Sequence, residues 1–298
     1  MSQPTPPTAI QHDQEVGDLT IHYAEVQGSG PPMVMLHGIG MDWRVWQSVS
    51  RRLAPHFHLY LPDLRGHGQS DKPARGYSLA DYASDVEELI AWFGLTDVTL
   101  VGSSLGGMIA IALEASPSVV SARVLVDPPL VRGAGAKRSL FERILAIKQV
   151  GVSEQEQCQA IFRALQGESE GAGNGFVRYM AEAWTACAEG VLAEALHPIE
   201  TPAQIEAALA AIESPTLIMR GNSDRGSVLS EAAVGAALDL LQDGEVRYFP
   251  KSGHAIHGTE PAMFVDAIRE FTGQAVTGGI GFDAECREPD RTLVPYNA

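Results

Sequence analysis

The chain has 298 residues, 45% of them apolar, enough to bury the core of one large α/β domain or of such a domain with an inserted lid. Its 37 acidic residues outnumber its 21 basic ones by 16, which disfavours nucleic acid and anionic membranes as partners and suits a cytoplasmic protein. Three cysteines, Cys158, Cys187 and Cys286, show neither disulfide nor metal-ligand spacing and read as free thiols of a reducing compartment.

Residues 1–14 are rich in Pro, Thr and Gln, lack the basic start and apolar stretch of a signal peptide, and read as a loose tail. Alternating residues then predict a strand over 19–26, and the apolar run 32–36 predicts a buried strand ending in His37-Gly38-Ile39-Gly40. A helix over 43–53, a strand over 58–61 and a helix over 79–93, closed by Gly94, follow. The strand 98–101 runs into Gly102-Ser103-Ser104-Leu105-Gly106-Gly107 and the apolar helix behind it, and 123–126 is the next strand. Further on, strands over 216–219 and 246–249 alternate with helices over 231–241 and 262–271. Apolar strands alternating with helices predict a mostly parallel sheet covered on both faces, with ligands bound beyond the carboxyl ends of its strands. Residues 129–214 break the alternation with helical patterns over 138–150, 154–165, 177–196 and 203–212, and predict a helical lid. Phe162, Met180 and Trp184 are its candidates for pocket-facing side chains, though the reading favoured for each is the lid's own core. The core is then 1–128 with 215–272, and 273–298 reads as an irregular tail. No run approaches the roughly 20 apolar residues of a membrane span.

Ser104 lies between Gly102 and Gly106 at a strand-to-helix junction, the pattern of a nucleophile elbow. A serine is a weak nucleophile near neutral pH and needs a base within hydrogen-bond reach. His254, in Ser252-Gly253-His254 after the last strand, has the best placement, and His257 falls on the start of the final helix. The acid that would orient His254 is Asp224, after the penultimate strand, with Asp127 at the end of the preceding strand as its competitor. An oxyanion would be met by the Leu105 amide at the start of the elbow helix and by the Ile39 amide in the loop after strand 32–36. His37 reads as a residue that shapes that loop.

These motifs, with Asp63-Leu64-Arg65-Gly66-His67-Gly68-Gln69-Ser70, resemble the lid-bearing α/β-hydrolases over roughly residues 19–271. The resemblance implies an eight-stranded, mostly parallel sheet with helices on both faces. It implies Ser104 as nucleophile, His254 as base, Asp224 as acid, and Ile39 and Leu105 as oxyanion donors. A serine at the elbow separates the chain from haloalkane dehalogenases and epoxide hydrolases of this fold, which carry aspartate there. The chain departs from the family where many members run Asp-Xaa-Val-Xaa-Pro: here Asp224 is followed by Arg225-Gly226-Ser227-Val228, which keeps Asp127 open as the acid. The expected reaction is cleavage of a carboxylic ester or lactone of a small-to-medium apolar substrate through an acyl-enzyme on Ser104. A carbon–carbon bond hydrolase acting on diketones uses the same triad, and amide or carbamate cleavage fits the same chemistry. A ligand-binding protein of this fold with little turnover is the reading from another class. No cofactor and no metal are expected, and the partner is a small-molecule substrate; no oligomeric state is specified.

Overall fold

The computed structural model describes residues 8–130, 135–166, 173–196 and 201–274. One sheet holds β1 (Ile10–Val16), β2 (Leu19–Val26), β3 (Pro32–Leu36), β4 (His58–Pro62), β5 (Val98–Ser103), β6 (Val120–Val126), β7 (Thr216–Gly221) and β8 (Gly244–Phe249). Their spatial order is β1-β2-β4-β3-β5-β6-β7-β8. The pairs β1–β2 and β2–β4 are antiparallel, and every pair from β4 across to β8 is parallel. Parallel neighbours need crossovers, which helices supply. In chain order these are α1 (Gln47–Leu53), α2 (Leu79–Trp92) and α3 (Leu105–Ala112), and then, between β6 and β7, α4 (Gly135–Lys148), α5 (Glu154–Gln166), α6 (Asn174–Ala186), α7 (Glu189–Ala195) and α8 (Pro202–Ala210). The last crossover is α9 (Glu231–Leu240), between β7 and β8, and α10 (Ile256–Thr259) and α11 (Pro261–Phe271) follow β8.

Side chains of period two split each central strand between two cores. Met33 and Met35 of β3 join Val101, Val124, Leu217 and Met219 in the layer covered by Leu53 of α1 and Phe264 and Ile268 of α11. Val34 and Leu36 join Leu100, Leu125 and Ile218 in the opposite layer, beneath Val86 and Ile90 of α2 and Ile109 of α3. Burial on both faces is why these strands read as unbroken apolar runs. Helices α4 to α7 close a separate cluster of Ile144, Ile161, Leu165, Val177, Ala181, Trp184 and Leu192, with Ile39 and Met41 of the core packed against it. Helix α8 belongs elsewhere, because Ile205 and Leu209 join the main core.

Two expectations about local structure need correction. Residues 10–14, read as tail, are most of β1, paired with β2 in register from Ile10↔Glu25 to Val16↔Leu19. This edge strand is exposed and polar, so backbone pairing holds it and no hydrophobic alternation marks it. The helix expected over 177–196 is broken between α6 and α7, where Cys187 is extended (φ −67°, ψ 139°). At the break the Ala188 amide donates to the Gly66 carbonyl at 2.7 Å, a tertiary bond that replaces a helical one. Among the described residues no helix is long and apolar enough to cross a membrane. Of the expected tail, residues 275–298 lie outside the described residues.

Candidate active site

Ser104 links β5 to α3 with φ 53° and ψ −112°, a sparsely populated conformation that costs on the order of 1–3 kcal/mol. The turn is closed by the Ser104 amide donating to Val126 O at 3.0 Å and the Met108 amide donating to Ser104 O at 3.1 Å. The flanking glycines are steric requirements. A Cβ on Gly102 would lie 2.1 Å from the Gly106 carbonyl oxygen, and one on Gly106 would lie 2.2 Å from that of Leu36. The hydroxyl side of Ser104 faces the loop after β3, where a Cβ on Gly38 would sit 3.9 Å from Ser104 Oγ.

That loop is held from below. His37 is fully buried; its Nε2 accepts the Leu64 amide at 3.0 Å, so its Nδ1–H donates to the Gly38 carbonyl at 2.8 Å. Burial is the main influence on the imidazole and outweighs nearby Asp63, lowering its pKa and keeping it neutral. Buried Asp63 accepts the Trp43 and Gln69 amides, each at 2.8 Å, and so joins this loop to the 63–70 segment. The Met41 amide donates to Gly38 O at 3.2 Å and closes a turn with Ile39 and Gly40 at its tip. Across from it, Leu105 opens α3, where the amide has no intrahelical acceptor and the helix dipole favours negative charge.

His254 follows β8, and its Nδ1 is 2.6 Å from Oδ2 of Asp127. The Asp127 side chain is wholly buried, whereas a quarter of the His254 side chain (25%) is exposed. An ionised carboxylate only accepts, so Nδ1 carries the proton and Nε2 keeps its lone pair. Asp127 directly follows β6 with φ 46° and accepts three more hydrogen bonds. Its Oδ1 receives the Ser227 hydroxyl at 2.6 Å and the Leu229 amide at 3.2 Å, and its Oδ2 the Val228 amide at 2.9 Å. Burial is the largest single influence and pushes its pKa up. The bonds from His254, Ser227 and Val228 together override it, so the net pKa lies below the ordinary value and the group is ionised.

The expectation that Asp224 pairs with His254 is therefore corrected. Asp224 is exposed in a short turn after β7, where its amide donates to Asn222 Oδ1 at 2.9 Å. Beyond it the chain bends through Gly226 (φ 89°) and brings Ser227, Val228 and Leu229 across the end of β6. The loop that departs from Asp-Xaa-Val-Xaa-Pro thus serves as the cradle of Asp127. That departure was the sequence signal for the three donors, which residue-by-residue reading misses. His257, in α10, is buried against Trp46 with its pKa pushed down to about 4 by burial and then by His254. Phe162, Met180 and Trp184 all pack in the α4–α7 cluster. Among the described residues no group of His, Cys, Asp or Glu could hold a metal ion.

A model described as "Alpha/beta hydrolase family" matches residues 33–267. The chain belongs to the alpha/beta hydrolase family. A 103-residue stretch of this alpha/beta hydrolase is 42% identical to an uncharacterized protein of Mycobacterium tuberculosis, covering 34% of this chain and 30% of that relative. The match thus spans less than a third of that protein's length. The 2-(acetamidomethylene)succinate hydrolase of Mesorhizobium japonicum is 29% identical over 274 residues, 88% of this chain and 95% of the relative. The pimeloyl-[acyl-carrier protein] methyl ester esterase of Vibrio vulnificus is 29% identical over 258 residues, 84% and 97% of the two chains. Among solved structures, an E-2-(acetamidomethylene)succinate hydrolase superposes with a TM-score of 0.74 at 26% identity, covering 89% of this chain and all (100%) of that one.

Proposed function

We propose that the protein hydrolyses a small carbonyl compound through an acyl-enzyme on Ser104, with His254 as general base and acid and Asp127 as the orienting acid. The observation that carries this reading is the buried Asp127 carboxylate, bonded at 2.6 Å to the Nδ1 of His254 on the same sheet edge as the Ser104 elbow. In the first step Ser104 Oγ bonds to the carbonyl carbon as His254 Nε2 takes its proton. The oxyanion rests on the Ile39 and Leu105 amides. Collapse breaks the bond to the leaving group, which departs with the proton from His254. Water, activated by the same imidazole, then adds to the acyl carbon and releases the carboxylic acid and Ser104.

The leaving atom is nitrogen or carbon in the reading preferred here: an N-acyl compound or a diketone. The near-full-length similarity to a hydrolase whose named substrate carries an acetamido group supports it. An ester or lactone is the second reading, supported by the similarity to a methyl ester esterase over 97% of its length. The apolar α4–α7 cluster that reaches Ile39 and Met41 favours a substrate with an apolar group on either reading. Purified protein is to be treated with a fluorophosphonate, and assayed on matched N-acyl enamines, diketones, lactones and nitrophenyl esters. Labelling of Ser104, its loss in Ser104→Ala, and highest kcat/KM on the N-acyl or diketone members are expected. Highest kcat/KM on esters selects the second reading. No labelling and no turnover would make the chain a ligand-binding protein of this fold.

A further inference from the structure

The loop that would supply the Ile39 oxyanion donor has two sides. Its inner side rests on His37, bonded both to the Leu64 amide and to the Gly38 carbonyl. Its outer side is covered by the inserted helix α6 and the residue just after it. At Gly40, where φ is 71°, a Cβ would lie 2.3 Å from Trp184 Cε2, so the indole ring packs directly on the backbone next to Ile39. Buried Cys187 lies next to the Gly40 amide. Two residues beyond Gly40, the Tyr179 hydroxyl sits at 3.3 Å from the Asp42 carbonyl, 3.4 Å from its Oδ1 and 3.4 Å from its amide nitrogen. Burial raises the pKa of that phenol, so its proton is present to be donated. Arg44, whose Nη2 is 2.7 Å from Asp42 Oδ2, lies over the Tyr179 ring with its guanidinium carbon 5.0 Å from the centroid.

We propose that α6 sets the position of the Ile39 amide, with Trp184 and Tyr179 as positioning residues that act through Gly40 and Asp42. The inference rests on the serine-hydrolase reading above. Its physical basis is that the loop is short and carries a left-handed glycine, so its outer half takes its shape from what packs on it. Displacing a donor by about 1 Å weakens its bond to the oxyanion while leaving the ground-state carbonyl nearly untouched. Seating the inserted helix and completing the anion hole are then one event.

The test compares wild type, Trp184→Phe and Tyr179→Phe by the second-order rate of Ser104 labelling with two fluorophosphonates, one methyl and one long-chain. Donation to the phosphoryl oxygen promotes both reactions, so a misplaced donor slows both probes by the same factor. The expected slowing is about 10- to 100-fold in Trp184→Phe and severalfold in Tyr179→Phe. Melting temperature and folded fraction are measured alongside. Variants that are fully folded yet label at the wild-type rate overturn the proposal. So does slowing confined to the long-chain probe, which would mean that the residues shape the acyl pocket instead. Should Trp184→Phe fail to fold, Tyr179→Phe, which removes one oxygen from a half-buried side chain, decides alone. Failure of the wild type to label at Ser104 overturns the hydrolase reading itself, a distinct result.

Discussion

Replacing Asp127 by asparagine probes the pairing with His254 at its most sensitive point. The carboxylate accepts from four donors: the Ser227 hydroxyl, the Val228 and Leu229 amides and His254 Nδ1. A carboxamide of the same shape offers one accepting oxygen. If its NH2 occupies the Oδ2 position, it confronts the Val228 N–H and the proton on His254 Nδ1. The imidazole then flips or changes tautomer, and Nε2 ceases to be a base. If its NH2 faces the other way, it confronts the Leu229 N–H, and the full negative charge that stabilises an imidazolium is still lost. Wrong tautomer and lost charge together cost about 10⁴-fold in kcat, or roughly 5.4 kcal/mol of barrier at 1.36 kcal/mol per decade. The unpaired amide in a wholly buried site costs on the order of 1–3 kcal/mol of folding stability. The assay is fluorophosphonate labelling and nitrophenyl ester turnover of Asp127→Asn beside Asp224→Asn, with urea unfolding of both. Asp224→Asn should stay within about twofold of wild type, because its side chain is exposed and lies off His254. A fully folded Asp127→Asn with more than a tenth of wild-type activity, next to an inactive Asp224→Asn, would refute the reasoning.

Acid sensitivity follows from two buried imidazoles. Burial first, and then the neighbouring His254 and His37 respectively, push His257 down to about 4 and His67 to about 3 from an ordinary 6.5. Both stay neutral in the folded chain and take up protons on unfolding, so their contribution is intact above pH 6.5 and declines as pH falls towards the folded values. At pH 5 that is about 2 kcal/mol for each. The urea midpoint should fall between pH 7 and pH 5, and His257→Phe should remove about one proton of the uptake on unfolding; an unchanged midpoint sinks the idea. Asp127 acts with the same sign in a lower window: with its pKa lowered, its contribution is present above about pH 3.8 and is lost only as pH drops through the lower folded value. Gly106→Ala should abolish soluble, active protein, since its Cβ meets the Leu36 carbonyl oxygen at 2.2 Å. Gly235→Ala, on the exposed side of α9 with nothing within 4 Å, should instead stabilise the fold by about 0.5–1 kcal/mol, read as a higher melting temperature.

What could be read from the residues and what could not divides along the range of the forces involved. The elbow was legible because its constraint is local: Gly102 and Gly106 answer to backbone atoms within the same turn and to the adjacent strand. The central strands were legible because burial on both faces leaves an unmistakable apolar run, as in Pro32–Leu36. Strand β1 was not, because an exposed edge strand is held by its partner's backbone rather than by its own pattern. The break between α6 and α7 was equally silent: Cys187 leaves the helix where the chain meets Gly66, 121 positions earlier in the numbering (187 − 66).

The residues alone determined the α/β alternation, the helical insertion, Ser104 at its elbow and His254 after the last strand. Only the tertiary structure decided which carboxylate meets that histidine. Asp127 and Asp224 follow neighbouring parallel strands, so the same topology brings each to the carboxyl end of the sheet. What separates them is where the loop after β7 sends its donors. Its Ser227, Val228 and Leu229 turn inward on Asp127, compensating a buried charge that could not otherwise remain ionised, and leave Asp224 to solvent. A choice made by desolvation and by donors a hundred residues away leaves no signature in the residues beside Asp127, only the altered loop after Asp224.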